Sequence, residues 1–219
     1  MRRSIALMLV GASAIATSCA SDPPSAAVGI EADGCDLTHA RGNGLLVAPG
    51  LVLTSAHVLK GSKEIVVARG DRSTTGTIVA FDPKMDLAYL AIEPSFGRSV
   101  PIGDGGVSNG DHGTAYVFRS GEPVQIPIKF RRPINIRTQD IYRKGETNRP
   151  GFELDADIQA GDSGGVVIVN GQAVGVLWAR SRNFEARAYA IDPVKAGALI
   201  RDQLISGEIG ESIDLTRCY

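Results

Sequence analysis

Apolar runs of strand length, each closed by turn residues, recur along almost the whole chain, and no other feature limits its fold as tightly. "GLLVA", "LVLTS", "EIVVA", "GTIVAF" and "DLAYLAIE" fall between Gly44 and Glu93. After the connector "EPSFGRSVPIGDGGVSNGDHG" come "TAYVF", "VQIPIKF", "INIRT", "GFELDA", "GVVIVN", "QAVGVLW" and "ARAYAI". Short runs separated by Gly, Pro, Asn and Asp read as the strands of small closed sheets. The 26 glycines and 11 prolines suit many turns better than a helical bundle. Two strand sets of similar size about a polar connector predict an all-β chain of two antiparallel barrels, with a cleft at their interface. The last segment, "DPVKAGALIRDQLI", places Asp192 and Pro193 in cap and first-turn positions and predicts one closing helix.

The N-terminus carries Arg2 and Arg3, then "IALMLVGASAIA", then the small residues "TSCAS". This order is that of an export signal, here residues 1–19. The run from Ile5 to Ala16 is shorter than the roughly 20 residues needed to cross a bilayer, so any membrane contact of the mature chain would come through a lipid anchor alone. Small residues ahead of Cys19 resemble a bacterial lipobox, whose cysteine becomes a lipidated N-terminus. Ala16 departs from the leucine usual in that motif, and ordinary cleavage after Ala16 or Ala20 stays equally open. Export to an oxidising compartment leaves Cys35 and Cys218 as a pair and predicts a disulfide rather than two buried thiols. Closing a loop of roughly 180 residues would contribute at most about 5 kcal/mol.

A formal charge of −1 gives no reason to expect a nucleic-acid partner. The basic run Lys129, Arg131, Arg132 and Arg137 reads as a solvated hairpin face. No metal-ligand spacing of His and Cys occurs, no phosphate-cradling loop stands out, and no cofactor is implied.

The chemistry centres on "GDSGG" at Gly161 to Gly165. Alone it is a weak signal, because Gly, Asp and Ser also build ordinary turns. The chain has three histidines, His39, His57 and His112, and all precede Ser163. A nucleophile elbow of the α/β-hydrolase kind needs its histidine after the serine, and the subtilisin order needs a leading acid in a motif; neither is present. The order His, Asp, Ser is left. "LVLTSAHVL" sets His57 just after an apolar strand, and "FDPKMDLAYLAI" sets Asp86 at the mouth of another. Each residue singly would be read as a core histidine, a carboxylate at a strand mouth and a turn serine; jointly they point to a triad. His39 and His112 lie in polar, glycine-containing stretches and read as solvated loop residues.

"GNGLLVAPGLVLTSAHVL", "DPKMDLAYLAI", "VPIGDG" and "DADIQAGDSGG", in that order, resemble the bacterial trypsin-like serine endopeptidases, close to the HtrA-type protease domain, from Gly42 to about Pro193. The resemblance implies two six-stranded barrels, 35–98 and 113–192, joined by a connector over 99–112. A linker over 20–34 would precede them and the closing helix and tail, 193–219, would follow. It implies Ser163 as nucleophile, His57 as its base and Asp86 as the group that fixes the imidazole tautomer. The backbone N–H groups of Gly161 and Ser163 would form the oxyanion hole, each donor worth roughly 3 kcal/mol in related chemistry. Trp178 would line a substrate subsite rather than serve only as core. Asp157 stands six residues before Ser163, where trypsins carry the aspartate that selects basic side chains. Arg187 stands two residues before Tyr189, the aromatic of the pocket strand, and on the same face. The arginine would either pair with Asp157 and close the pocket or reach past it to an acidic side chain.

Two features of the family are missing. No Arg or Lys is followed by "IVGG", so insertion of a new N-terminus beside Asp162 is not supported, and no PDZ-like segment follows the closing helix. The expected function is an exported serine endopeptidase, periplasmic, envelope-bound or secreted, acting on proteins or peptides without a cofactor as a free-standing domain. Two alternatives stand beside it. One is a catalytically silent protease-like module that binds peptides or a partner through the same cleft. The other is a signalling protease activated when a ligand remodels the oxyanion loop.

Overall fold

The computed structural model describes residues 23–34, 39–103 and 106–207. The signal over 1–19 and the three cysteines, Cys19, Cys35 and Cys218, lie outside the described residues. A short helix α1 (Pro23–Ala26) leads into β1 (Ala27–Gly34), β2 (His39–Ala48), β3 (Leu51–Thr54), β4 (Ser62–Arg69), β5 (Arg72–Thr75), β6 (Thr77–Asp82) and β7 (Leu87–Ala91). The second half contains β8 (His112–Arg119), β9 (Glu122–Gln139), β10 (Glu146–Asp155), β11 (Val166–Val169), β12 (Gln172–Arg180) and β13 (Arg187–Ile191), then α2 (Pro193–Ala196) and α3 (Ala198–Ser206).

The first seven strands form one sheet in the order β5-β4-β1-β2-β3-β7-β6, and the last six form a closed barrel, β10-β13-β12-β11-β8-β9. β5 and β6, the two ends of the first ladder, are separated in the chain only by Gly76, whose N–H donates to Ile65 O at 2.9 Å. They are two arms of one bent strand, which brings the sheet round on itself as a barrel-like unit.

The first barrel starts earlier than the expected linker allows. β1 pairs with both β2 and β4, and within it Val28, Ile30 and Ala32 are buried while Glu31 and Asp33 face solvent. Its inward side chains alternate with Gly and acids, so the strand has period-2 alternation without a conspicuous apolar run. "VQIPIKF" and "INIRT" also turn out to be one strand. The first part of β9 pairs with β8 and the second with β10, the two ladders meeting at Lys129. Pro127 and Pro133 each fall where only one edge of β9 is paired, so the missing N–H of proline can face the unpaired side.

Ile126, Ile128, Phe130, Phe152, Leu154 and Leu177 fill the second barrel, with Phe130 and Phe152 edge to face at 5.2 Å. Leu45, Leu53, Val67, Phe81, Leu87 and Leu90 fill the first. Each such side chain contributes about 1.5–3 kcal/mol on burial. The basic run lies on β9, where Arg132 pairs with Glu153 (2.6 Å), Arg131 with Asp155 (3.1 Å) and Arg137 with Glu146 (2.9 Å) across the ladder to β10.

The expected single closing helix is two. Asp192 caps α2 through Oδ1, which accepts from the N–H groups of Val194 and Lys195, and Gly197 separates α2 from α3. The buried Gln203 on α3 reaches the outer edge of β6: its Oε1 accepts from Phe81 N at 2.7 Å and its Nε2 donates to Phe81 O at 3.3 Å. A helix following the second barrel thus completes the edge of the first. Gln203→Ala leaves both Phe81 groups unpaired and is expected to cost about 2 kcal/mol, read as a lower urea midpoint at unchanged m-value.

Candidate active site

β3 and β7 are neighbours in the ladder, Thr54 opposite Ala88, so the residues just beyond β3 and just before β7 meet. His57 sits in a single 3-10 turn, Ala56–Val58, and Asp86 directly precedes β7. The turn that presents Asp86 is held by Asp82, whose Oδ1 accepts from the N–H groups of Lys84 and Met85, both at 2.9 Å. Asp86 itself has φ of 60°, a left-handed conformation that Asp tolerates better than most residues. Its carboxylate accepts from His57 N (Oδ1, 2.8 Å) and contacts His57 Nδ1 with both oxygens, at 3.1 and 2.9 Å. The carboxylate requires the proton on Nδ1, leaving Nε2 unprotonated in the neutral ring.

The Asp86 side chain is 2% exposed and that of His57 34%. Burial alone would lower the His57 pKa, but the charge of Asp86 and its hydrogen bond outweigh it, and the net shift is upward; the Arg149 guanidinium opposes part of the rise.

Ser163 belongs to the second barrel, on the loop between β10 and β11. Its carbonyl accepts from Asn43 N at 2.8 Å, and Gly161 O accepts from Asn43 Nδ2 at 2.7 Å. Asn43 is fully buried on β2, and its Oδ1 also takes the N–H of Phe118 on β8. One side chain of the first barrel therefore pins the serine loop of the second. A Cβ placed on Gly42 would meet Val58 Cγ2 at 2.5 Å and Ser163 O at 3.1 Å, so the serine backbone and the residue after His57 both close on that glycine. Gly164 has φ of +83°, and a Cβ there would lie 2.1 Å from Asn43 O, which excludes any larger residue.

Gly161 also has positive φ, +96°. Among the described residues the N–H groups of Gly161 and Ser163 donate to no other group, and the Ser163 hydroxyl makes no hydrogen bond. Asp162, between them, is buried and points away, toward Arg119 at the end of β8. Arg119 Nε donates to Oδ1 at 2.9 Å and Nη2 to Oδ2 at 2.5 Å, while Gln159 N donates to Oδ2 at 2.8 Å. The hydrogen bond to Asp162 pushes the Arg119 pKa further up, so the guanidinium is fully charged. An internal arginine thus occupies the Asp162 carboxylate.

The other expected positions are also resolved. Trp178 is half-buried and lines a cavity of about 230 Å3 with His57, Asp86, Gln139, Asp140 and Arg149. A second cavity, of about 470 Å3, lies beside the loop that carries Ser163 and is lined by Arg41, Gly42, Arg119, Gln159 and Gly161. Asp157 is exposed and is not the partner of Arg187. Arg187 Nη1 donates to the buried Glu153, Nε stands 3.6 Å from Asp155, and the guanidinium lies 5.0 Å from the Phe184 ring. Ladder register explains the choice: Tyr189 is opposite Glu153 and Arg187 opposite Asp155, so all four share one face of the sheet. His39 and His112 are exposed, at the starts of β2 and β8; His39 is hydrogen-bonded to Asp33. Asn43, Arg119 and Arg149 carry no sequence signal of their own, since each acts on a loop far from it in the chain.

A family model described as a trypsin-like peptidase domain matches residues 42–176. Serine protease Rv3671c of Mycobacterium tuberculosis is 29% identical over 184 residues, 78% of this chain and 42% of its own length. A probable periplasmic serine endoprotease, DegP-like, of Pseudomonas savastanoi is 29% identical over 196 residues, 86% of this chain and 39% of its own length. The chain therefore spans about two fifths of the length of these curated relatives. Among solved structures, the active form of the Rv3671c protease superposes with a TM-score of 0.77 at 23% identity, covering 98% of this chain and 99% of that one. HtrA-type protease AlgW with a tripeptide superposes with a TM-score of 0.72 at 22% identity, covering 85% and 62%. With most of its length matched by the family model, and with two joined β-sheet units of the same fold, this chain belongs to the trypsin-like peptidase family.

Proposed function

We propose that this chain is an exported serine endopeptidase that hydrolyses peptide bonds through an acyl-enzyme formed on Ser163. The observation that carries the proposal is the state of the three groups at the cleft. Asp86 holds His57 in the tautomer that leaves Nε2 as a base, while Ser163 and the two N–H groups flanking Asp162 are unspent. In the reaction Ser163 Oγ attacks the scissile carbonyl as His57 Nε2 takes its proton. The oxyanion develops against the N–H groups of Gly161 and Ser163, and His57 then protonates the leaving amine. Water repeats the sequence on the ester. Triad hydrogen bonds commonly tighten only when substrate is bound, so a free Ser163 hydroxyl in the resting enzyme is compatible with this chemistry.

One cavity holds His57 and Asp86 against Trp178 and the other follows Gly161 and Asp162, a pair that would suit an extended peptide. Export is supported by the arginine-led apolar N-terminus and by the periplasmic description of the DegP-like relatives. Mass spectrometry of the mature N-terminus separates lipidated Cys19 from cleavage after Ala16 or Ala20, and non-reducing peptide mapping reads the Cys35–Cys218 bond.

The mature protein is expected to react with a fluorophosphonate probe, and Ser163→Ala and His57→Ala are each expected to abolish labelling. Folded wild type that fails to label, yet retains peptide binding, would overturn the endopeptidase assignment in favour of a silent binding cleft. Labelling that appears only with an added peptide would assign a regulated protease instead.

A further inference from the structure

Arg149 on β10 is a guanidinium whose side chain is only 2% exposed, and the chemistry above makes no use of it. Its Nε donates to Lys84 O at 2.7 Å and its Nη2 to Gln139 O at 3.1 Å. Nη1 stands 3.6 Å from Asp86 Oδ2, the oxygen that also meets His57 Nδ1 at 2.9 Å. The guanidinium centre lies 5.2 Å from the Trp178 ring. These partners come from three walls of the cleft: the turn before β7, the end of β9, and β12. A buried cation at this depth is costly unless its donors and charge are matched. The matching falls on the triad carboxylate and on the wall of the cavity in front of it.

We propose that Arg149 is a positioning residue of the triad, a fixed cation that shares the Asp86 carboxylate with His57 and ties it to the Trp178 wall of the cleft. This role rests on the triad assigned above. The fork of hydrogen bonds to Lys84 O and Gln139 O sets where the positive charge sits, so Asp86 keeps one orientation as His57 gains and loses its proton. The charge also acts on the imidazole. Burial lowers the proton affinity of His57 and Asp86 raises it; Arg149 on the same carboxylate offsets part of that rise. Nε2 thereby stays available as a base at lower pH than the Asp86–His57 pair alone would allow.

Other charged or titratable groups near this cluster are the buried Asp82 with Lys84 in the preceding turn, and Asp140, Tyr142 and Arg143 on the β9–β10 hairpin tip. Lys60 follows the 3-10 turn of His57. Among the described residues, Arg149 is the one cation within ion-pair distance of Asp86 apart from His57 itself.

The test compares wild type, Arg149→Met and Arg149→Lys at fixed salt. The His57 imidazole is titrated by NMR, with its signal assigned through His57→Gln, and kcat/KM on a peptide substrate is followed against pH. In Arg149→Met both the imidazole titration and the acid limb are expected to move to higher pH by roughly 0.5–1 unit. Arg149→Lys, which keeps the charge and loses the fork, is expected to titrate within about 0.3 unit of wild type and to show lower kcat. An unchanged titration in Arg149→Met, or an Arg149→Lys shift as large as that of Arg149→Met, overturns the role. If Arg149→Met does not fold, Arg149→Lys decides: a wild-type titration with reduced kcat supports it, and a shift above roughly half a unit overturns it. A wild type without turnover would sink the endopeptidase assignment, while the imidazole titration would still judge Arg149.

Discussion

Asp86→Asn is expected to lower kcat by about 10⁴-fold in a protein that remains folded. The fold survives because asparagine tolerates the left-handed φ of 60° at this position and can still accept the His57 N–H through Oδ1. That hydrogen bond, however, turns the amide NH2 toward Nδ1. The imidazole must then accept at Nδ1 and carry its proton on Nε2, facing Ser163, where a base is needed. Because Asp86 raises the proton affinity of His57, the residual activity of Asp86→Asn should have its acid limb at lower pH than wild type. Circular dichroism and a kcat/KM profile check both statements. A loss of less than about tenfold would mean that Asp86 does not set the tautomer.

The same pair links pH to stability. The folded-state pKa of His57 lies above its unfolded value, so protonated His57 adds stability that is fully present below the unfolded pKa. That contribution is lost as pH rises through the folded pKa. Maximum activity, which needs neutral His57, therefore falls on the side where this stabilisation has gone.

Arg119→Met is expected to lower both stability and kcat, by about 3 kcal/mol or more and by about 10²–10³-fold. Asp162 is 1% exposed and receives two bonds from Arg119. Without the guanidinium its carboxylate must be protonated, find water or turn out, and in each case the backbone of Gly161 to Ser163 moves with it. The N–H groups expected to meet the oxyanion lie on either side of that residue, so the loop cannot adjust without misaiming a donor. Arg119→Met with Asp162→Asn should recover much of the stability, because no unpaired buried charge is left, while kcat stays low. Thermal unfolding and turnover of the single and double variants measure the two effects separately. If Arg119→Met kept kcat within about threefold, the oxyanion loop would not depend on the pair.

Much of this site is legible in the chain. His57, Asp86 and Ser163 each sit in a contiguous motif at a strand end, and strand ends are visible as breaks in apolar periodicity. β1 is less legible, since its inward residues alternate with glycine and acids and form no apolar run, and β9 looks like two strands because prolines interrupt it. Asn43, Arg119, Arg149 and Gln203 are not legible at all. Their contacts join residues 118, 43, 65 and 122 positions apart, between segments that share no pattern. The pocket arginine shows the same limit. The family resemblance leaves Arg187 free to pair with Asp157, yet the β10–β13 ladder sets it opposite Asp155 and beside Glu153.

The strand content, the two sheet units, the glycine-rich turn around Ser163 and the order His, Asp, Ser can be read from the amino-acid sequence. All of these follow from side-chain periodicity and backbone preference, which are properties of neighbouring residues. Which cation meets which carboxylate depends on the packed fold: Arg119 with Asp162, Arg149 with Asp86, Arg187 with Glu153. Ion pairs and buried hydrogen bonds act over a few ångströms in space, and their partners are chosen by which strands lie adjacent and which faces they turn inward.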